Sequence, residues 1–218
     1  MKTISKQQLK NLCKNGTCID SIGEYPSVII HPDGTITKLW KRKKSLFSSD
    51  RFRSYAQRFI DNATGLTGKG INVPDILNHA VLEGERISIV SYRALPGNSI
   101  RDLLKDSPER VDIPALGRYI LSLHDKGIFF RSIHFGNIIL LSDNNYGLID
   151  ITDVRYYKNP VPLRRRAVNL ATPLRYSDDA DRIKAAQLPD LIDSYLSALE
   201  PNARDKERFL AQINRCLN

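Results

Sequence analysis

The stretch from Phe129 to Asp153, FFRSIHFGNIILLSDNNYGLIDITD, constrains this chain more than any other. It reads as a short loop, a strand, a polar turn and a second strand, because two apolar runs flank the turn-forming residues SDNN. Asn137 and Asp150 stand at the ends of the two strands, 13 positions apart, with Arg131, Ser132 and His134 just upstream. Whatever the chain folds into must place this amide, this carboxylate and this basic loop together.

The rest of the sequence supplies a partition. Lys6 to Lys14 reads as a helix, followed by a connector holding Gly, Cys and Asp. Ser27 to Ile30 and Thr35 to Trp40 are β-rich and separated by HPDG, so they predict a hairpin. Period-2 alternation sets Ile36, Lys38 and Trp40 on one strand face. From Asp50 to Leu66, Phe52, Tyr55, Phe59 and Ala63 recur at helical spacing, with Ser49 or Asp50 as cap. Ile76 to Leu82 and Arg86 to Tyr92 predict two more strands. A helix starting at Asn98 or Ser99 follows the Pro-Gly turn. Pro114 to Lys126 predicts another helix, with Gly127 just past its end. Arg164 to Tyr176, Ala180 to Leu199 and Arg204 to Leu217 complete the helical part. The expectation is an α+β fold of two lobes: an antiparallel-sheet N-lobe over residues 1–92, a hinge at 93–98 and a helical C-lobe over 99–218.

A lysine sharing a strand face with Ile and Trp has two readings. It is an edge-strand lysine pointing to water, or Lys38 reaches into a cleft to grip phosphate. Asn137 and Asp150 are similarly ambiguous one at a time, since Asn favours turns and Asp favours strand ends. Together they supply the parts phosphoryl transfer asks for: a strand lysine for phosphates and oxygen ligands for Mg²⁺.

The arrangement resembles protein-kinase-like phosphotransferases. SIHFGNIILL is similar to the D-x-H-x-x-N loop of aminoglycoside-phosphotransferase-like and small bacterial kinases, and GLIDI to their metal-binding loop. More narrowly, TITKLW, RFRSYAQRF, YRALPG and GIFFRSIHFGNIILL resemble the lipopolysaccharide core kinase (Kdo/WaaP) group, above all its "toluene tolerance protein" members, over roughly residues 25–175. The resemblance implies a kinase-like fold using ATP and Mg²⁺, with an inner-core sugar hydroxyl as phosphate acceptor. It assigns Lys38 to the nucleotide phosphates and sets Gln57 and Tyr92 beside the nucleotide. It makes Asn137 and Asp150 the Mg²⁺ ligands. Arg131, Ser132, His134 and Asp153 become the catalytic-loop residues.

Three departures matter. Ser132 stands where the pattern H-R-D-x-x-x-x-N has its catalytic Asp. No G-x-G-x-x-G precedes Lys38, and no acid lies between Arg51 and Ile60 to pair with it. A serine hydroxyl does not ionise near neutral pH, so the base must come from elsewhere. His134 or Asp153 could supply it, while Arg131 holds a phosphate or pairs with a carboxylate.

Composition bounds the alternatives. At 218 residues with 41% hydrophobic and 26% charged, the chain can bury a substantial core. Its net charge of +9 favours anionic partners. The densest basic run, Lys41, Arg42, Lys43 and Lys44, is either a solvated loop or a contact for an anionic glycolipid and the inner-membrane surface. No apolar run approaches the about 20 residues of a membrane span, and the stretch MKTISKQQLKNLCKNG has no apolar signal core, so secretion is not expected. The expected location is the cytoplasm, with peripheral attachment to the inner membrane. Cys13, Cys18 and Cys216 lack a CxxC pair and read as reduced thiols. Three functions remain open: a kinase of envelope glycolipid, a nucleotide-binding pseudokinase, and a basic nucleic-acid-binding module. The last lacks any recognised motif or interleaved aromatics, so nucleic acid is not the expected partner.

Overall fold

A computed structural model of the protein describes residues 2–41, 54–175 and 188–217. The chain divides into two compact units, Met1–Leu95 and Pro96–Asn218.

The first unit is built on a six-stranded sheet. Its strands are β1 (Lys2–Ile4), β2 (Thr17–Ile22), β3 (Tyr25–Ile30), β4 (Thr35–Lys41), β5 (Asp75–Leu82) and β6 (Ile87–Arg93). They lie in the order β1-β5-β6-β4-β3-β2, all antiparallel except β1 on β5. HPDG closes the β3–β4 hairpin as expected. Gly34 takes a positive φ of 79°, and the Asp33 carboxylate accepts from the Thr35 amide at 2.9 Å. The expected connector after the first helix is instead largely strand β2, pairing Cys18 with Ile29. As the outer strand it is almost wholly exposed, so its sequence carries no apolar alternation to betray it.

Helix α1 (Lys6–Lys14) begins where a reciprocal cap dictates. Ser5 Oγ accepts from the Gln8 amide at 3.2 Å, while Gln8 Oε1 accepts from the Ser5 amide at 2.8 Å. Its Leu9 packs with Ile4, Ile29, Leu39, Ala80, Leu82, Ile87 and Ile89 on one sheet face. Helix α2 (Tyr55–Thr67) covers the other face. Its cap is Ser54, whose Oγ accepts from the Gln57 amide at 3.2 Å. The caps expected at Ser49 or Asp50 lie outside the described residues, as do Arg42, Lys43 and Lys44. Phe59 inserts between Trp40 and Tyr92, with ring centroids 5.6 and 5.1 Å away. Alternation along β4 therefore turns Lys38 to the α2 side, where its Nζ lies 5.4 Å from the Trp40 ring centroid.

The second unit is mainly helical. It contains β7 (Gly97–Ser99), α3 (Ile100–Asp106), α4 (Ile113–Asp125), β8 (Ile128–Phe130), β9 (Ile138–Leu141), β10 (Tyr146–Leu148) and β11 (Val154–Tyr156). Then come α5 (Leu163–Leu170), α6 (Leu188–Leu199) and α7 (Ala203–Leu217). Ser99 caps α3, as the sequence predicts. The helix expected over Arg164 to Tyr176 stops at Leu170. Pro173 offers no amide hydrogen and disfavours helical geometry in Thr172, so the chain passes into a 3₁₀ turn over Pro173–Arg175. Residues 180–187 of the next expected helix lie outside the described residues. Among the described residues, no helix is long and apolar enough to cross a membrane.

His124, near the end of α4, organises the core of this unit. Its Nδ1 lies 2.7 Å from the Tyr195 hydroxyl and its Nε2 3.0 Å from Asn169 Oδ1. Asn169 donates its Nδ2 to the Phe130 carbonyl at 2.8 Å, which fixes its Oδ1 as an acceptor. His124 therefore donates through Nε2 and accepts the tyrosine proton at Nδ1, as a neutral ring. Burial lowers its pKa from 6.5 to about 4. The unfolded chain thus binds the proton first as pH falls, so the network's contribution is complete above pH 6.5 and is lost on approach to about pH 4. Urea unfolding across that window should show this group contributing a loss of stability on the order of 3 kcal/mol. A flat profile there would rule out a neutral buried imidazole.

Candidate functional site

The β9–β10 hairpin positions the two residues that carry the site. Ile138 pairs with Leu148, and the Ile149 amide donates to the Asn137 carbonyl at 3.0 Å. Asn137 and Asp150 therefore emerge at the same end of the hairpin. Asn137 is buried. Its side-chain Nδ2 donates to the Ser132 carbonyl at 2.9 Å, which turns Oδ1 the opposite way. The His134 amide donates to that same carbonyl at 3.0 Å, and the Asn137 amide to the His134 carbonyl at 2.8 Å. One asparagine thus ties the loop from Ser132 to His134 to the start of the strand.

Asp150 is exposed and left-handed, with φ 52° and ψ 41°. For a residue with a Cβ that conformation costs about 1–2 kcal/mol. Such strain persists where surrounding structure enforces it, and it concentrates at functional positions. The Thr152 amide donates to its carbonyl at 2.9 Å, holding the turn. An amide oxygen and a carboxylate at one hairpin end form the hard donor set that suits a divalent cation such as Mg²⁺.

Downstream, the Asp153 carbonyl accepts from the Arg131 amide at 3.0 Å, and Asp153 Oδ1 lies 3.8 Å from Arg131 Nη1. The pair is half-exposed and long, so it orients more than it stabilises. His134 has a different tie: its Nδ1 lies 3.3 Å from Arg101 Nη2. A guanidinium only donates, so Nδ1 accepts there. Gly136 makes room for this contact, since a Cβ at that position would lie 3.0 Å from Arg101 Nη1 and 3.2 Å from His134 Nδ1. While Arg101 holds Nδ1, that nitrogen cannot take a proton from a substrate.

Lys38, Gln57 and Tyr92 belong to the first unit. Lys38 lies beside Trp40 and Tyr92 against Phe59, both on the α2 side of the sheet. Gln57 Nε2 donates to Asp61 Oδ1 at 2.8 Å. Asp61 is an acid on α2, one position beyond the stretch from Arg51 to Ile60 that lacks one. Its signal was the i, i+4 spacing from Gln57 on a helix surface.

No protein-family model and no curated protein matches the sequence. Among solved structures, the chain is similar to WbdD co-crystallised with the kinase inhibitor LY294002, at 14% identity and a TM-score of 0.52, covering 87% of this chain and 42% of that one. It is also similar to monomeric WbdD at 16% identity and a TM-score of 0.50, over 86% and 44% of the two chains. The chain spans less than half the length of these structures. At such identities the likeness speaks for the fold alone. The protein has a two-lobed, kinase-like α+β fold, with a mainly antiparallel sheet in the first lobe and helices dominating the second.

Proposed function

We propose that the protein is an ATP- and Mg²⁺-dependent phosphotransferase of the kinase type. The observation that carries this reading is the Asn137–Asp150 pair, two oxygen donors set at one hairpin end, one oriented by the Ser132 carbonyl and the other held left-handed. Lys38 would hold the nucleotide phosphates, with Tyr92, Gln57 and Asp61 on the same lobe. Mg²⁺ held by Asn137 and Asp150 would neutralise phosphate charge. The kinase inhibitor bound to WbdD supports a nucleotide pocket in this fold. Asp153 would take the acceptor proton in place of the missing acid at Ser132, and His134 would order the loop through Arg101.

For the acceptor, the sequence resemblance favours a sugar hydroxyl of the lipopolysaccharide inner core, reached at the cytoplasmic face of the inner membrane. The basic run from Lys41 to Lys44 would meet the anionic glycolipid. Ser132 specifically favours a second reading, a pseudokinase that binds nucleotide without transferring phosphate.

Transfer of labelled γ-phosphate from ATP onto purified inner-core lipopolysaccharide distinguishes them. Asp153→Asn should lower turnover by about 10²–10⁴-fold, the span of a general base, whereas His134→Ala should cost far less. Ser132→Asp should raise turnover. If neither the wild type nor Ser132→Asp transfers phosphate to any acceptor, the pseudokinase reading replaces the kinase one.

A further inference from the structure

Within the second unit, a cavity of about 620 Å³ is lined by four arginines, Arg131, Arg155, Arg165 and Arg175, with Phe129 and Asn169 among its other walls. Its volume falls in the range of small-molecule sites, and among the described residues no acidic side chain lines it. The arginines come from four separate segments. Arg131 follows β8 and Arg155 is the centre of β11, where it pairs with Phe129 across the two strands. Arg165 lies in the first turn of α5, and Arg175 ends the 3₁₀ turn beyond it.

Among the described residues, Arg155, Arg165 and Arg175 form no salt bridge, and Arg131 reaches Asp153 only at 3.8 Å. The four guanidiniums are exposed and of one sign, so water screens their mutual repulsion and an anion in the hollow would relieve what remains. The guanidinium fork is weakly hydrated and matches phosphate oxygens in pairs, so phosphate is the anion that this lining suits. The wall is also held firm. Asn169 is fully buried and bonded to the Phe130 carbonyl and to His124, so the α5 face carrying Arg165 is fixed before any ligand arrives.

We propose that this cavity is a binding site for a phosphate monoester. Arg131 belongs both to the cavity and to the loop carrying Ser132. On the phosphotransferase reading, on which this one step rests, the cavity anchors an acceptor that already bears a phosphate and holds its free hydroxyl toward that loop.

Isothermal titration of the full chain with glucose 6-phosphate, inorganic phosphate and unphosphorylated glucose tests the site. Glucose 6-phosphate should bind saturably and glucose should not. Arg165→Gln and Arg175→Gln alter exposed side chains, and each should weaken binding about tenfold, the scale of one charge-assisted contact. The rise in melting temperature given by ATP with Mg²⁺ should persist in both, and Asp150→Ala should leave glucose 6-phosphate binding unchanged. Tighter binding of glucose 6-phosphate than of inorganic phosphate supports an acceptor-borne group, while equal binding supports a site for the phosphate group alone. No saturable binding of either phosphate at millimolar concentration, or binding undiminished in the double variant, overturns the proposal. Phosphate binding without any ATP response would keep the site and sink the phosphotransferase reading instead.

Discussion

Asp150→Ala is expected to abolish the rise in melting temperature that ATP and Mg²⁺ produce in the wild-type protein. A ligand at about 100 times its dissociation constant stabilises the folded state by about 2.7 kcal/mol. For a chain of this size, each kcal/mol is worth about 2–4 °C, so a shift of several degrees should vanish. The backbone complicates a simple reading of absolute melting temperatures. Asp150 is left-handed at φ 52°, and alanine tolerates that region no better, so the variant should also be somewhat less stable without ligand. Asp150→Gly separates the two effects. Glycine enters the left-handed region freely, so this variant should match or exceed the wild type without ligand and still show no response to ATP. A full response in either variant would remove Asp150 from the nucleotide site.

The second large effect lies away from the site. His124→Leu should destabilise the protein by about 3–5 kcal/mol, read as a fall in the urea midpoint. The substitution removes the acceptor of the Tyr195 hydroxyl proton and the donor to the Asn169 amide oxygen, both buried, and each unsatisfied buried group costs about 1–3 kcal/mol. The partners are themselves committed: Tyr195 stacks on Phe209 at 5.4 Å, and Asn169 is bonded to the Phe130 carbonyl. Arg166, which also reaches the Tyr195 hydroxyl, can only donate to it, so the tyrosine proton still lacks an acceptor. The variant should also lose the acid sensitivity between pH 6.5 and about 4 that His124 confers. A loss under about 1 kcal/mol would mean that water satisfies both groups, since a single bridged hydrogen bond is worth no more than that.

What was legible in the sequence depended on whether local chemistry decided the outcome. The HPDG turn and the apolar periodicity of α4 are local signals, and both elements form close to where those signals put them. Strand β2 was hidden because an outer strand with both faces exposed has no apolar register. The end of α5 was hidden behind a helical pattern that Pro173 interrupts. The cap of α2 is Ser54, whereas the expected caps, Ser49 and Asp50, lie outside the described residues. The arginine cavity was the least visible. In the run from Arg164 to Arg166, each side chain goes its own way, as successive residues about 100° apart on a helix must. Arg164 lines a groove with α7, Arg165 enters the cavity, and Arg166 turns inward to the Val161 carbonyl at 2.6 Å and Asp125 at 2.7 Å. Only the fold joins Arg165 to Arg131, Arg155 and Arg175. At the hairpin the reverse holds: the interval between Asn137 and Asp150 is set by one tight β-turn, so spacing alone marked the pair.

The parallel pairing of β1 with β5 bears on how the protein is made. Lys2 to Ile4 align with Ala80 to Leu82, so β1 leaves the ribosome about 80 residues ahead of its partner. At 5–20 residues per second, that wait is on the order of 4–16 seconds. During it, Ile4 and Leu9 lack Ala80, Leu82, Ile87 and Ile89, half of the cluster that buries them in the finished unit. The first lobe should therefore close late in its own synthesis, in a single step that joins its beginning to its far edge. Nascent chains arrested before Leu82 should remain protease-sensitive throughout this unit.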